Sequence, residues 1–276
     1  MQKKHLILSA VAIVVITGLF MLPKSVVDNE RENTSQSTAT EGTGEAMPMG
    51  EAGDHTAEVP EEAQQELAAL REAYENNRNS ENFANFANSL VERFAAMNQY
   101  DSAARYAAEL AAVENNAANL QKAGDMYYEA FTYAMDAEKA QRMGEQARTY
   151  YSQLLEQAPE QLDAKAKMAM TYVSSSNPMQ GIQMLREVLE SDEKNQTAIY
   201  NLGLLSMQSG QYDRAVERFE KLVQLDPENL QAQFLLGVSH FESGNKAEAK
   251  TQFEKVKSMD ADPSVVASVD EYLNQL

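Results

Sequence analysis

The sequence predicts an all-α protein: a right-handed α-solenoid of paired helices with a C-terminal capping helix, preceded by one transmembrane helix and a disordered linker. Three observations carry this. Several residues recur together at a 34-residue spacing, small and glycine residues punctuate each period, and the N-terminal quarter splits into an apolar run and an acidic stretch. A period of that length marks stacked supersecondary units, each of which needs a neighbour to bury its outer apolar face.

The first element is Leu6 to Leu22, an almost unbroken apolar run closed by Pro23-Lys24. Seventeen residues at helical rise span ~25 Å, near the short end of what crosses a bilayer core. The run exceeds the ~7–15 residues of a signal-peptide core and no A-x-A-like site follows it, which favours an uncleaved anchor over a cleaved signal. With no Cys, it is not a lipoprotein signal. Lys3 and Lys4 precede the run and Asp28, Glu30 and Glu32 follow it, so the positive-inside rule puts the N-terminus in the cytoplasm. The expected placement is the inner (cytoplasmic) membrane, single-pass, with the solenoid in the periplasm; a mitochondrial or other eukaryotic anchor is the alternative. Residues 1–24 form this anchor.

Residues 25–61 form the linker. Residues 25–62 hold ten acids against one Arg, and no aromatic residue occurs between Phe20 and Tyr74. Such a stretch buries too little apolar surface to offset the entropy of ordering. It acts as a spacer with a root-mean-square span of roughly 35 Å, stretched by like-charge repulsion. An acidic docking segment is the other reading.

Residues 62–276 form the solenoid. A helix from Glu61 to Ala73 leads into repeats near 84–117, 118–161, 162–195, 196–229 and 230–263, and a capping helix follows over 264–276. Gly203, Gly210, Ala215 and Phe219 return as Gly237, Gly244, Ala249 and Phe253. Ala169, Gly181 and Leu185 hold the matching places one period earlier. Upstream, Gln99-Tyr-Asp101 copies Gln211-Tyr-Asp213, offset by three periods plus ten residues, which places an insertion near Ala134–Gly144.

Within one repeat, helix A reads Ala198–Ser209 and helix B Tyr212–Leu225. Gly203 and Ala215 are small, so the two helices can approach, while Leu202, Phe219 and Leu222 fill the space between them. Gly210 ends helix A, Asp213 favours the helix dipole at the start of B, and Pro227 stops B. Val265, Val266, Val269, Tyr272 and Leu273 fall at helical spacing and would cover the last repeat.

The stretch Ala198–Asn229 resembles the tetratricopeptide-repeat family, with its N-L-G, small-residue, aromatic and D-P marks at that family's spacing. The resemblance extends over most of residues 84–263. It departs at Val91, where a small residue is expected, and in the lengthened repeat from Ala118. The family's fold implies a concave face, lined by helix A, that binds peptides or partner helices. Its groove positions fall on Ala166, Met170 and Val173, then Tyr200, Leu204 and Met207, then Phe234, Val238 and Phe241. Members that grip a C-terminal carboxylate use Lys, Arg and Asn there. The apolar residues here disfavour such a partner and suit an amphipathic helix or extended apolar segment. The alternative is that some of these side chains are buried between adjacent A helices or covered by another protomer.

Composition narrows the chemistry. The net charge of -19 argues against nucleic acid, whose phosphates are held by clustered Lys and Arg. The absence of Cys removes disulfides, thiolate metal sites and a Cys nucleophile. His5 and His55 stand in the leader and linker, apart from His240, so no two His fall together for a metal or a Ser-His relay. Asp192-Glu193 and Asp260/Asp262 fall in interrepeat turns, where acids start helices. No phosphate-binding glycine motif occurs. The expectation is therefore no enzyme, no cofactor and no metal. Tyr127, Tyr128, Phe131, Tyr133, Tyr150 and Tyr151 flank the enlarged repeat, either as core or as an exposed docking face.

The function these features imply is a membrane-anchored interaction scaffold or chaperone-like holder outside the cytoplasm, gripping an apolar or amphipathic segment of a protein or peptide. The membrane is its second partner, through the N-terminal helix. A self-associating homo-oligomer is one alternative, and an accessory role in cytochrome c maturation or protein secretion, by analogy of architecture, is the other.

Overall fold

The computed structural model describes residues 61–259 and 262–276. These residues form twelve helices and no strand: α1 (Glu61–Asn76), α2 (Phe83–Ala96), α3 (Tyr100–Val113), α4 (Ala117–Thr132), α5 (Ala137–Gln157), α6 (Leu162–Val173), α7 (Pro178–Ser191), α8 (Gln196–Gln208), α9 (Tyr212–Leu225), α10 (Leu230–Glu242), α11 (Lys246–Ser258) and α12 (Pro263–Leu273). Each helix packs chiefly on its sequence neighbours, and α6 also touches α4 and α8, giving a tetratricopeptide-like solenoid.

Helix ends are written locally. Asn116, Asn195 and Asn229 cap α4, α8 and α10, each side chain accepting a hydrogen bond from the backbone N–H three residues on. Gly210 and Gly244 end α8 and α10 with φ of 72° and 83°. That conformation lets the N–H of Gln211 donate to the Ser206 carbonyl at 2.8 Å and that of Asn245 to His240 at 2.9 Å. At the end of α2 the same turn is made by Asn98, φ 58°, whose follower Gln99 donates to the Phe94 carbonyl at 2.9 Å. Asn is the residue that tolerates the left-handed region best after Gly.

Inside each pair, one small residue faces one large residue. A Cβ on Gly203 would stand 2.7 Å from the Phe219 ring, one on Gly237 2.8 Å from Phe253, and one on Gly124 2.7 Å from Tyr151. The rings of Phe219, Phe253 and Tyr151 are fully buried. In α6–α7 the contact is backbone to backbone: a Cβ on Gly181 would lie 2.3 Å from the carbonyl oxygen of Ala169. In α2–α3 the order inverts, with Val91 and Ala107 buried in one cluster. Val91 thus departs from the family pattern without leaving a clash, because the residue at the aromatic place is itself small.

The extra residues of the enlarged repeat enter helix, not loop. α4 has 16 residues and α5 has 21, against 13 and 14 in α8 and α9. With Gly124 against Tyr151 as the common reference, α4 runs about one turn further past its glycine than α8 does. The α4–α5 hairpin therefore projects beyond its neighbours, and its tip carries Met135, 96% exposed.

At the other end, α12 covers the last pair. Val265 and Val269 are buried with Phe234, Val238 and Phe253. Tyr272 stacks on Phe253 with ring centroids 5.0 Å apart and meets Phe234 and Phe241 edge-on.

The expected inner-membrane, single-pass placement, with a cytoplasmic N-terminus and a periplasmic repeat domain, is overturned. Among the described residues no helix is long and apolar enough to cross a membrane. The longest, α5, carries Glu138, Lys139, Arg142, Glu145, Arg148 and Glu156, too many charges for a bilayer core. The membrane as a partner through an N-terminal helix goes with it. The run Leu6–Leu22 and the linker expected over 25–61, save its last residue, lie outside the described residues.

Candidate functional site

Helices α4, α6 and α8 are the first members of their pairs, and each turns its small residue toward its own partner. The adjoining side faces inward along the solenoid, where a row of polar links joins one such helix to the next. The Lys122 ammonium donates to the Asn88 side chain, joining α4 to α2. Lys167 Nζ donates to Asp125 Oδ1 at 2.7 Å, joining α6 to α4. Gln231 Nε2 donates to the Tyr200 hydroxyl at 2.6 Å, joining α10 to α8.

Asp125 is doubly held, because the buried Tyr151 hydroxyl donates to the same oxygen at 2.8 Å from beneath α4. Burial and this neighbouring carboxylate push the Tyr151 hydroxyl far above the ordinary tyrosine range. Lys167 also lies 6.0 Å over the Tyr128 ring. The Tyr200 hydroxyl is pushed up by burial and then by Tyr128. Glu129, one turn beyond Asp125, is pushed up by burial, with Lys167 opposing and Asp125 reinforcing.

The apolar half of this face comes from α6 and α8. Met170, Tyr200, Leu204 and Met207 are half-buried and Ala166 is fully enclosed, while Val173, also half-buried, turns toward Gly181 of α7 in its own pair. Two of the three positions carried onto α10 need correction. Phe234 is 5% exposed and Val238 1%, and Phe241 is half-buried against Tyr272. α12 lies over them, so Phe234 and Val238 are core residues of the last pair and not an open groove wall. The pattern that makes them groove residues elsewhere assumes that nothing follows on that side.

The charged residues Asp125, Glu129 and Lys167 beside Tyr128 were missed in the sequence. A signal for part of it was present: with Gly124 aligned on Gly203, Asp125 and Tyr128 fall where Leu204 and Met207 fall. The lengthened repeat hid that alignment. The aromatic group around it divides between the two readings. Tyr151 is core, Tyr127 and Tyr150 stack at 5.5 Å, and Tyr133 reaches the surface at the hairpin tip, stacked on Tyr100 at 5.0 Å.

His240 is buried on α10, and its Nδ1 has no hydrogen-bond partner among the described residues. Among those residues no group of three or more His, Asp or Glu side chains is placed to hold a metal.

The tyrosines give the fold an alkaline limit. Tyr128 and Tyr272 are each pushed up to about 12, chiefly by burial, whereas an unfolded tyrosine titrates near ~10. Between those values the folded chain keeps protons that the unfolded chain has released, so stability falls as pH rises through that window and is unaffected below it. The melting temperature followed by circular dichroism is expected to fall between pH ~10 and ~12. Tyr128→Phe should make that fall shallower; an unchanged slope would mean that its hydroxyl titrates alike in both states.

Residues 206–269 match the tetratricopeptide-repeat family. A tetratricopeptide repeat protein from Parabacteroides merdae is 19% identical, with a TM-score of 0.54 over 74% of this chain and 76% of that one, and shares the fold. Two further solved structures align less closely. YrrB, described as a TPR protein with an unusual peptide-binding site, is 19% identical with a TM-score of 0.44, over 74% of this chain and 99% of that one. MamA from Desulfovibrio magneticus is 20% identical with a TM-score of 0.47, over 64% and 94%. No curated protein matches the chain by sequence.

Proposed function

We propose that this tetratricopeptide-repeat chain is a protein-binding scaffold or chaperone-like holder that grips a polypeptide segment along the inward face of α4, α6 and α8. The observation that carries the reading is the apolar set Met170, Tyr200, Leu204 and Met207. These side chains stay half-buried on helices whose Ala164, Ala166, Ala169, Ile199 and Leu202 are enclosed. Apolar and Met-rich surface left open beside aromatic rings is the composition of a peptide-binding groove. The chemistry is association, not bond making: the solenoid supplies a pre-formed rigid wall, and a segment laid on it loses water from both surfaces.

The test replaces half-buried wall residues that border the core, not residues enclosed within it. Phe234→Ala is unsuitable, since it would empty the interior under α12. Leu204→Glu with Met207→Glu puts charge on half-exposed positions and should leave the helical circular-dichroism spectrum intact. Binding of an array of apolar and amphipathic peptides to the full chain is expected to weaken at least ~10-fold, the loss of one or two buried contacts. Unchanged binding by the folded variant removes the reading.

A further inference from the structure

The seat of α12 is built to take an amphipathic helix. Its floor comes from the last pair: Phe234 and Val238 of α10 and Phe253 and Val256 of α11 cluster with Val265 and Val269. Tyr272 lies 5.0 Å from Phe253, 6.0 Å from Phe234 and 5.2 Å from Phe241, ring centroid to ring centroid. Val265, Val269 and Tyr272 stand at i, i+4 and i+7, so one stripe of α12 makes all of these contacts. At the edge, Lys257 Nζ pairs with Asp270 Oδ1 at 2.6 Å. α12 is the shortest helix described, and Val265 and Val269 are its buried residues. The pair beneath is closed without it, because a Cβ on Gly237 would already stand 2.8 Å from the Phe253 ring. Opening α12 therefore bares the seat without parting α10 from α11, and terminal elements open at lower cost than the whole fold. The bared seat continues the inward wall: Met207 packs against the cluster under α12 as well as against the α8–α9 core.

We propose that α12 is the resident occupant of a second docking seat, and that an amphipathic helix of a separate polypeptide displaces it. The partner helix carries bulky apolar residues at i, i+4 and i+7 and an acid at i+5, the place of Asp270, to meet Lys257. This rests on the polypeptide-binding reading above and carries the wall from α8 onto α10. A second copy of the chain offers the same helix, but a net charge of -19 on each copy opposes that pairing. While α12 is seated, a competitor's apparent affinity is reduced by the fraction of molecules whose seat is open, so loosening α12 tightens the competitor by the same factor.

A fluorescein-labelled peptide copying residues 262–276 tests it by anisotropy with the full chain. Two variants loosen α12 and leave the seat untouched. Asp270→Lys sets like charges together at the Lys257 contact and should tighten peptide binding at least about threefold over the parent. Val269→Ala removes two buried methyl groups from α12 and should tighten it about tenfold. Both should keep the helical circular-dichroism spectrum, since α12 ends the fold. Adding Phe241→Glu to Asp270→Lys should cancel the gain, because Phe241 is half-buried in the seat itself. If either loosened variant fails to gain, or the gain survives Phe241→Glu, the proposal is overturned. It is equally overturned if light scattering shows Asp270→Lys forming dimers that the peptide does not dissociate, for the occupant is then a second copy. The peptide array with Leu204→Glu and Met207→Glu decides the groove reading separately: if that variant weakens the array while the copied peptide shows no gain, the groove stands without a seat on α10.

Discussion

Gly181→Ala is expected to lower the unfolding free energy by about 2 kcal/mol or more, an unusual cost for one methyl group. A helix-interior alanine is normally preferred over glycine by about 1 kcal/mol, so the substitution starts with a gain. What opposes it is the position of the new Cβ, 2.3 Å from the Ala169 carbonyl oxygen and 2.8 Å from the Val173 backbone nitrogen. Neither atom can rotate away, because both belong to the backbone of α6. The two helices must separate, and separation opens the buried contacts of Ala169, Leu185 and Val188. Overpacking ordinarily costs about 1–3 kcal/mol, and a clash with backbone belongs at or above the upper end. Urea unfolding followed by circular dichroism should show an earlier midpoint, and amide exchange should accelerate in α6 and α7 first. A variant as stable as the parent would mean that α6 and α7 do not approach this closely.

The periodic part of the fold was legible because periodicity reports packing. α9 runs from Tyr212 to Leu225, where the spacing of Ala215, Phe219 and Leu222 put a helix. Asn98 shows what a residue-by-residue match overlooks: the chain needs a left-handed turn at that place, and Asn, the next best residue after Gly there, supplies it. The insertion was visible only as a break in register. Whether ten residues extend a loop or two helices depends on whether they find a face to cover, and α4 and α5 cover each other.

The candidate site was half legible. Leu204 and Met207 follow from their distance to Gly203, since a helix fixes the angle between residues. Phe234 and Val238 obey the same rule and still lie inside, because exposure depends on α12, a later element that the rule does not contain. The pairing of Asp125 with Lys167 and Tyr151 was out of reach for a related reason. It joins three helices, and no spacing along the chain encodes the distance between α4, α5 and α6 once the hairpin has been lengthened.

Phe219→Ala should be the most damaging truncation in the central repeats, at about 3–5 kcal/mol. The ring is fully buried between α8 and α9 and is the large half of the pair whose small half is Gly203. Volume complementarity makes a sharper claim than burial alone. Gly203→Ala sets a Cβ 2.7 Å from the Phe219 ring, and a ring, unlike a backbone, can shift only by displacing its own neighbours, Ile199 and Leu222. The α6–α7 pair already runs a different solution, with Ala169 at the glycine place and Leu185 at the aromatic one, both buried. Transplanting it as Gly203→Ala with Phe219→Leu should therefore cost less than the sum of the two single changes, with a coupling of about 1 kcal/mol or more in the favourable direction. Urea midpoints of the two single variants and the double variant give that coupling directly. Strict additivity would mean that the distance between α8 and α9 is set elsewhere along the pair, and that the recurrence of glycine opposite an aromatic ring has another cause than the fit between them.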